Sequence, residues 1–510
     1  MATAGTNGSH GTNGISDTHG ANHTNGTNHT NGVHAANGNG LNGASHRSLE
    51  LKRGGFIASY PPFETLQPGH TEEIWDKRRF ALYAHLPYCR KRCTFCFYKV
   101  YTNRAAKPMD PYLRALHAEL DMYGARPDLH DREVQTLYFG GGTPTTLSVP
   151  ELRALVGRIH RNFNIAKDVE FTCESEPGTL DARKVAALRE LGVTRLSMGV
   201  QTFDDELLKK NGRSHGSHQV YRAMELARQN DFPVINIDLM SGIVDETMQT
   251  WERSVQKLID LEIEHVSIYR MEIYKNTLLY AAGFTGPGVG GIPTDEEEME
   301  LWLRAVEMLE GAGYTQISGH AFIKQPEHNH VHRTDVWGGG DLLATGVGSY
   351  SYLNDCVFQN TSDWDAYVQA LGAGQSPVKR WVRLNSRQVM AREVVLGLKL
   401  FKVDRVAFRN RHGFDVLDIW APQVELLAAD GLLDVTDEAI TVTRRGTIYI
   451  DIICSVFYLP EHTEYAFHRF ATEQELAEAA ALKVNAAQPT NGNGKTYSPL
   501  PLLGELALAR

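Results

Sequence analysis

Between residues 80 and 318, short runs of β-branched and aromatic residues alternate with amphipathic helical stretches, and this alternation constrains the fold more than any other feature of the chain. Residues 80–86 read as a strand. Residues 110–124 read as a helix with Asp110 as N-cap, Pro111 in the first turn and Leu113, Leu116, Leu120 and Tyr123 on one face. Residues 148–163 open with a capping box, Ser148-Val149-Pro150-Glu151, and turn Leu152, Leu155, Val156, Ile159 and Phe163 inward. Further strands are expected at 134–139, 169–174, 194–199, 234–239 and 265–271, with helices at 181–191, 217–230 and 247–261. Six β-then-α units predict an α/β fold with a parallel sheet and helices outside it, able to curve into a partial barrel two units short of eight. In such folds chemistry collects at the carboxyl ends of the strands.

The rest of the chain divides by composition. Residues 1–46 hold 10 Gly, 9 Asn, 7 Thr and 6 His with a single acid, Asp17, so they are expected to be disordered, as is a loose Asn/Gly-containing tail at 486–510. Residues 47–375 are assigned to the barrel with an N-terminal extension, and 376–485 to a smaller α-rich domain with a short strand pair near 432–435 and 440–442. A net charge of -10 carries no basic excess, which excludes nucleic acid and an anionic membrane as expected partners. There is no apolar run long enough to span a bilayer, and no basic-then-apolar leader pattern, so a cytoplasmic setting is expected. Six cysteines in 510 residues do not make a disulfide scaffold.

Three of those cysteines stand together. Cys89, Cys93 and Cys96 form a C-x3-C-x2-C pattern directly after the first strand. Three thiolates on one loop can bind zinc, with His85 closing a tetrahedral set, or a cubane iron–sulfur cluster with one iron left open to an exogenous ligand. Cys173, Cys356 and Cys454 are isolated and read as buried small apolar residues. Gly140-Gly141-Gly142-Thr143-Pro144 follows the second strand and lacks both the dinucleotide spacing and the phosphate-loop lysine; its glycines suit a close backbone approach.

Taken in order, Tyr83-Ala-His-Leu-Pro-Tyr-Cys89, Tyr138-Phe-Gly-Gly-Gly-Thr-Pro144, Cys173-Glu-Ser-Glu-Pro-Gly178, Arg195-Leu-Ser-Met-Gly-Val-Gln201 and Asn236-Ile-Asp-Leu-Met240 resemble the oxygen-independent coproporphyrinogen III oxidase (HemN-like) branch of the radical S-adenosylmethionine (SAM) superfamily. The resemblance spans roughly residues 80–459. It implies a partial (β/α)6 radical SAM barrel, a [4Fe-4S] cluster on Cys89, Cys93 and Cys96, and two SAM molecules. The first SAM would contact Tyr83, Gly141, Glu174 and Tyr350; the second would contact Phe95, Gly142, Thr143, Gln201, Arg213, Asp238 and Glu272. It also implies a small-molecule substrate and an electron donor such as flavodoxin or ferredoxin.

One departure shapes the functional expectation. Coproporphyrinogen oxidases carry another cysteine two residues after the last cluster cysteine, where this chain has Tyr98, and the haem chaperones of the branch usually place an acid where it has Phe97. The aromatic pair resembles branch members that work as methylases or haem-utilisation proteins, several of them in natural-product pathways. The leading expectation is therefore transfer of a SAM-derived methylene or methyl group to an sp2 carbon of a natural-product substrate, ending in methylation or, with a partner methyltransferase-like enzyme, cyclopropane formation. Decarboxylation of coproporphyrinogen III and haem binding are the alternatives. Aromatic residues of the C-terminal region, among them Phe408 and Trp420, are expected in its core. His328, His330 and His332 are expected on a solvent-exposed loop.

Overall fold

A computed structural model describes residues 60–62, 65–68, 79–102 and 105–463. The readings of the terminal tails at 1–46 and 486–510 lie outside these residues. Six parallel strands follow one another in space as in sequence: β1 (Phe80–Leu86), β2 (Glu133–Gly141), β3 (Asn164–Ser175), β4 (Arg195–Gln201), β5 (Val234–Ser241) and β6 (His265–Arg270). Helices Met109–Gly124, Val149–Asn162, Ala182–Glu190, Ser217–Gln229 and Met248–Asp260 connect them. The capping box forms: the Glu151 backbone N–H donates to Ser148 Oγ at 3.4 Å, and Glu151 Oε2 accepts from the Ser148 backbone at 2.6 Å. Such a cap is worth about 1 kcal/mol. The first helix begins one residue earlier than expected, at Met109, with Pro108 in the cap position and Asp110 in the first turn.

The strands alternate with period two. Leu82, Leu137, Phe171, Cys173, Leu196, Met198, Ile235, Ile237, Val266 and Ile268 join one apolar cluster with the helices. The intervening positions carry Tyr83, Tyr138, Glu174, Ser197, Asp238 and Ser267, and register pairs Tyr83 with Tyr138, Glu174 with Ser197 and Asp238 with Ser267. One face of each strand thus makes the core and the other lines a polar lumen.

The sheet extends beyond the six units. Asp341–Thr345 pairs in parallel with β1, and Tyr350–Leu353, Cys356–Asn360 and Val378–Arg383 continue it antiparallel; on the other side Ala321–Ile323 and Thr315–Ser318 pair antiparallel beyond β6. Between these extensions, helix Val331–Trp337 closes the amino-terminal end of the lumen. Its Val336 packs on Ala81, Leu342 and Ala344, and Glu170, early in β3, accepts from the backbone N–H groups of Val331 (3.1 Å) and His332 (2.9 Å) at its first turn.

The expected exposed loop at His328, His330 and His332 is therefore corrected. His332 Nδ1 lies 2.8 Å from Thr136 Oγ1, and both His330 and His332 stack against Tyr138 inside the barrel. Their partners stand far back in sequence, which the local pattern does not reveal.

The C-terminal region has its own core around Val394, Leu398, Phe408, Trp420, Leu427 and Ile453, so these aromatic residues are packing residues as expected. Its sheet has three strands, Lys402–Asp404, Ala439–Val442 and Leu433–Val435. Tyr60, far to the N-terminal side, is buried in the same core, where its hydroxyl accepts from the Leu459 backbone at 3.2 Å and meets His462 Nδ1 at 2.8 Å.

Candidate metal and cofactor site

The cysteine loop leaves the carboxyl end of β1 and is held by three backbone anchors: Cys89 N–H to the Tyr101 carbonyl (3.2 Å), Thr94 N–H to the Asn211 carbonyl (3.2 Å) and Tyr101 N–H to the Pro87 carbonyl (2.7 Å). Phe95 pins it from below in an apolar cluster with Leu207, Ile243, Val244, Met271 and Leu279. Cys89, Cys93 and Cys96 are free thiols, each partly accessible, whereas Cys173, Cys356 and Cys454 are buried as expected. Thr143 Oγ1 donates to Cys89 Sγ at 3.5 Å, and Arg213 Nη1 donates to Cys93 Sγ at 3.0 Å.

The donor set fits an iron–sulfur cluster better than a single ion. No three His, Cys, Asp or Glu side chains among the described residues converge on one ion position, as closed tetrahedral zinc demands. A cubane instead takes its three cysteines on three separate irons. His85 is engaged elsewhere: its Nδ1 lies 3.1 Å from the Tyr83 hydroxyl, and burial lowers it to about 4. Burial pushes the Cys89 thiol up to about 12, a cost that cationic iron removes by displacing the proton.

The glycine motif lets backbone approach backbone closely, at the junction of β2 with the cysteine loop. A Cβ on Gly142 would come 2.8 Å from backbone atoms of Leu86, Pro87 and Tyr88, and one on Gly141, at φ +107°, would strike the His85 ring. The chain itself takes up the space: Gly142 N–H donates to the Leu86 carbonyl (3.0 Å) and Thr143 N–H to the Tyr88 carbonyl (2.8 Å), locking β2 against the cysteine loop.

Below the loop, the lumen carries two carboxyls. Glu174 accepts from the Tyr138 hydroxyl at 2.7 Å and from Gly141 N–H at 3.0 Å, and burial raises it to about 7. Asp238 accepts from Asn236 Nδ2 at 2.8 Å and Ser197 Oγ at 3.5 Å, and burial raises it to about 6. Gln201 ends β4 at φ +75°, and its Oε1 and Arg213 Nε are buried without a hydrogen bond. These orphaned atoms fit a polar ligand against the loop. Tyr83 stacks on Tyr138 with ring centroids 5.5 Å apart. Tyr98 keeps 54% of its surface accessible although Glu174, Cys96, Asp238 and Tyr350 are its titratable neighbours, so its ring faces open space inside the mouth. The crowding of protein around that mouth pushes its phenol up, with Glu174 adding to the shift.

The two other expected residues make contacts of their own, and Tyr350 is also a neighbour of Tyr98. Glu272 accepts from the Tyr274 hydroxyl at 2.5 Å. Tyr350, opposite Gln359 at the start of its strand, packs beside Leu66, Tyr352 and Val357. Sequence reasoning missed Tyr138, Ser197 and Asn236, which hold the two carboxyls; their place on the lumen-facing alternation of neighbouring strands, Asn236 two residues before Asp238, was the available signal.

Residues 83–258 match the radical SAM superfamily model and residues 384–449 the HemN C-terminal domain. The chain is 30% identical to the heme chaperone HemW of Bacillus subtilis over 72% of its own length and 96% of the relative's. It is 28% identical to the oxygen-independent coproporphyrinogen III oxidase of Pseudomonas aeruginosa, over 76% of this chain and 88% of that one. The solved structure of the Escherichia coli coproporphyrinogen III oxidase HemN, a radical SAM enzyme, superposes with a TM-score of 0.71 at 25% identity, covering 79% of this chain and 96% of that one.

These relatives overturn the expectation of methyl or methylene transfer to a natural product: the proteins matched along nearly their whole length are coproporphyrinogen oxidases and a heme chaperone. The Phe97-Tyr98 pair that carried that expectation sits exposed at the rim of the cysteine loop. The two rings stack at 4.3 Å, Phe97 lies 4.6 Å from the Tyr274 ring, and Asn276 Nδ2 holds the Phe97 carbonyl at 2.6 Å. Among the described residues no helix is long and apolar enough to cross a membrane. With a barrel of the radical SAM superfamily, which uses a [4Fe-4S] cluster and SAM, followed by a HemN C-terminal domain, the chain belongs to the HemN-like branch of the radical SAM superfamily.

Proposed function

We propose that this protein is a radical SAM oxidoreductase acting on a porphyrinogen, of the oxygen-independent coproporphyrinogen III oxidase type, working in the cytoplasm with a flavodoxin- or ferredoxin-like electron donor. The observation that carries the reading is the joint span of barrel and C-terminal domain, which parallels 96% of the Escherichia coli oxidase. The lumen face of the sheet supports it, because aromatic rings and half-buried carboxyls stand together there below the cysteine loop.

In this reading Cys89, Cys93 and Cys96 hold the cluster. When bound, cluster and SAM supply a hydrogen-abstracting equivalent by one-electron cleavage of a sulfonium C–S bond. The chain's residues orient and enclose. Glu174 and Asp238 are the ribose acceptors of two adjacent SAM molecules, and Arg213 pairs with a methionyl carboxylate. Tyr83, Gly141 and Tyr350 border the first SAM. Phe95, Gly142, Thr143, Gln201 and Glu272 border the second.

A second reading, a HemW-like heme chaperone, is favoured by one specific observation: Tyr98 stands where the oxidases carry a further cysteine. Anaerobic incubation of the reconstituted protein with coproporphyrinogen III, SAM and a reductant separates the two. Release of carbon dioxide in step with 5′-deoxyadenosine supports the oxidase. Stoichiometric heme binding with neither product supports the chaperone and overturns the oxidase.

A further inference from the structure

Among the described residues, the floor of the lumen holds a cation with no carboxylate of its own. Arg333, on helix Val331–Trp337, is 7% exposed, and its Nε and Nη2 make no hydrogen bond. Its electrostatic neighbours are Tyr269, Arg195, Glu170 and Tyr138. Glu170 is already committed, to Arg195 Nε at 3.1 Å and to the backbone of Val331 and His332. Burial lowers the Arg333 guanidinium only to about 10, so it stays charged at neutral pH. His265, His320, His330 and His332 crowd the same floor, and burial holds all four low and therefore neutral. His330 Nε2 also lacks a hydrogen-bond partner, standing 3.7 Å from Glu170 Oε1.

A buried charge without a partner is costly, and an opposite charge brought by a ligand offsets that cost. We infer that Arg333, assisted by His330, anchors a carboxylate of the substrate at the floor of the lumen, beneath Glu174 and Asp238. The planar fork of a guanidinium suits a carboxylate bidentately. A phosphate dianion fits poorly, because one cation cannot balance it and Glu170, Glu174 and Asp238 would repel the second charge. The inference rests on the reading of the lumen as a tetrapyrrole chamber, since coproporphyrinogen III carries its acidic groups on flexible side arms.

The test compares coproporphyrin III with its uncharged tetramethyl ester by fluorescence titration against the full chain, using wild type, R333Q and R333K. Wild type is expected to bind the acid about ten-fold more tightly than the ester. R333Q should lose that preference with ester binding unchanged, and R333K should keep part of it. Unchanged acid binding by R333Q overturns the inference. Ligand-free R333Q should melt at or above wild type, because no intramolecular partner is lost; a clear fall would mark Arg333 as structural and also overturn it. If wild type binds neither porphyrin, the tetrapyrrole reading fails, and glutarate decides on Arg333 separately. Glutarate raising the melting temperature of wild type but not of R333Q upholds the anchor, and equal shifts, or none in wild type, reject it.

Discussion

Arg213 Nη1 lies 3.0 Å from the Cys93 sulfur, while its Nη2 donates to the Gly199 carbonyl at the end of β4. One side chain therefore ties the cysteine loop to the strand that ends in Gln201. It also sets a positive charge against a sulfur that must lose its proton to bind iron. R213Q should keep the fold, since the cysteine loop retains its backbone anchors at Tyr101, Asn211 and Pro87. It should slow iron loading at neutral pH and weaken SAM binding by roughly ten- to a hundred-fold, the loss of a charge-assisted pair. Iron analysis and equilibrium dialysis with SAM check both effects. Replacing Cys89, Cys93 or Cys96 by Ala should abolish iron-linked absorbance with circular dichroism unchanged.

The two lumen carboxyls predict a pH dependence of stability with a definite sign. Burial raises Glu174 to about 7 from 4.5 and Asp238 to about 6 from 3.8, so the native state keeps protons that the unfolded chain has released. Unfolding therefore becomes easier as pH rises from the unfolded values through the folded ones, and the loss levels off above about pH 7. Each group can account for at most about 3 kcal/mol. Because the buried histidines shift stability with the opposite sign, the readout is the difference between wild type and E174Q/D238N in denaturant melts of the ligand-free protein, which should move against wild type as pH rises from 4.5 to 8. A difference that is constant, or that moves in favour of wild type over that window, contradicts the assignment.

The β/α alternation was legible because each strand carries its own apolar face: all six barrel strands and five connecting helices lie within a few residues of the periodic runs. Pairs made over long sequence distances were not legible. Asp341 opens the seventh parallel strand and meets Arg132, 209 residues earlier, at 2.5 Å with both side chains fully buried. In sequence it reads as an acid after three glycines. The lumen-closing helix was hidden for the same reason, because alternating polar residues look solvated until Thr136, Tyr138 and Glu170 are brought around them. The cysteine loop stood out because its chemistry is local, three ligands within eight residues.

Glu170 is the acid on which that closing helix hangs. It pairs with Arg195 at 3.1 Å and accepts two first-turn N–H groups, while Arg195 Nη2 donates to the carbonyls of His328 (2.8 Å) and Asn329 (2.5 Å). E170A leaves a guanidinium that is 2% exposed without its partner and two helix donors unmet. The expected cost is about 3–5 kcal/mol, typical of breaking a buried pair. Chemical denaturation reads the loss, and hydrogen exchange should show 328–337 opening before the strands.

Gly142 offers the sharpest test of how the loop is seated. An added Cβ meets backbone atoms at 2.8 Å on the β1 side, where no side chain can swing aside, so β2 and the cysteine loop must separate. G142A should cost about 1–3 kcal/mol, and the lost anchors at Leu86 and Tyr88 should lower the iron retained after reconstitution. Gly157 is the matched control: it is exposed in the helix Val149–Asn162 and has nothing within 4 Å of a built Cβ. G157A should therefore stabilise by up to about 1 kcal/mol through helix propensity alone and leave iron content untouched. Equal behaviour of the two variants in melting and iron assays would refute the view that close approach, rather than backbone freedom in general, is what position 142 requires.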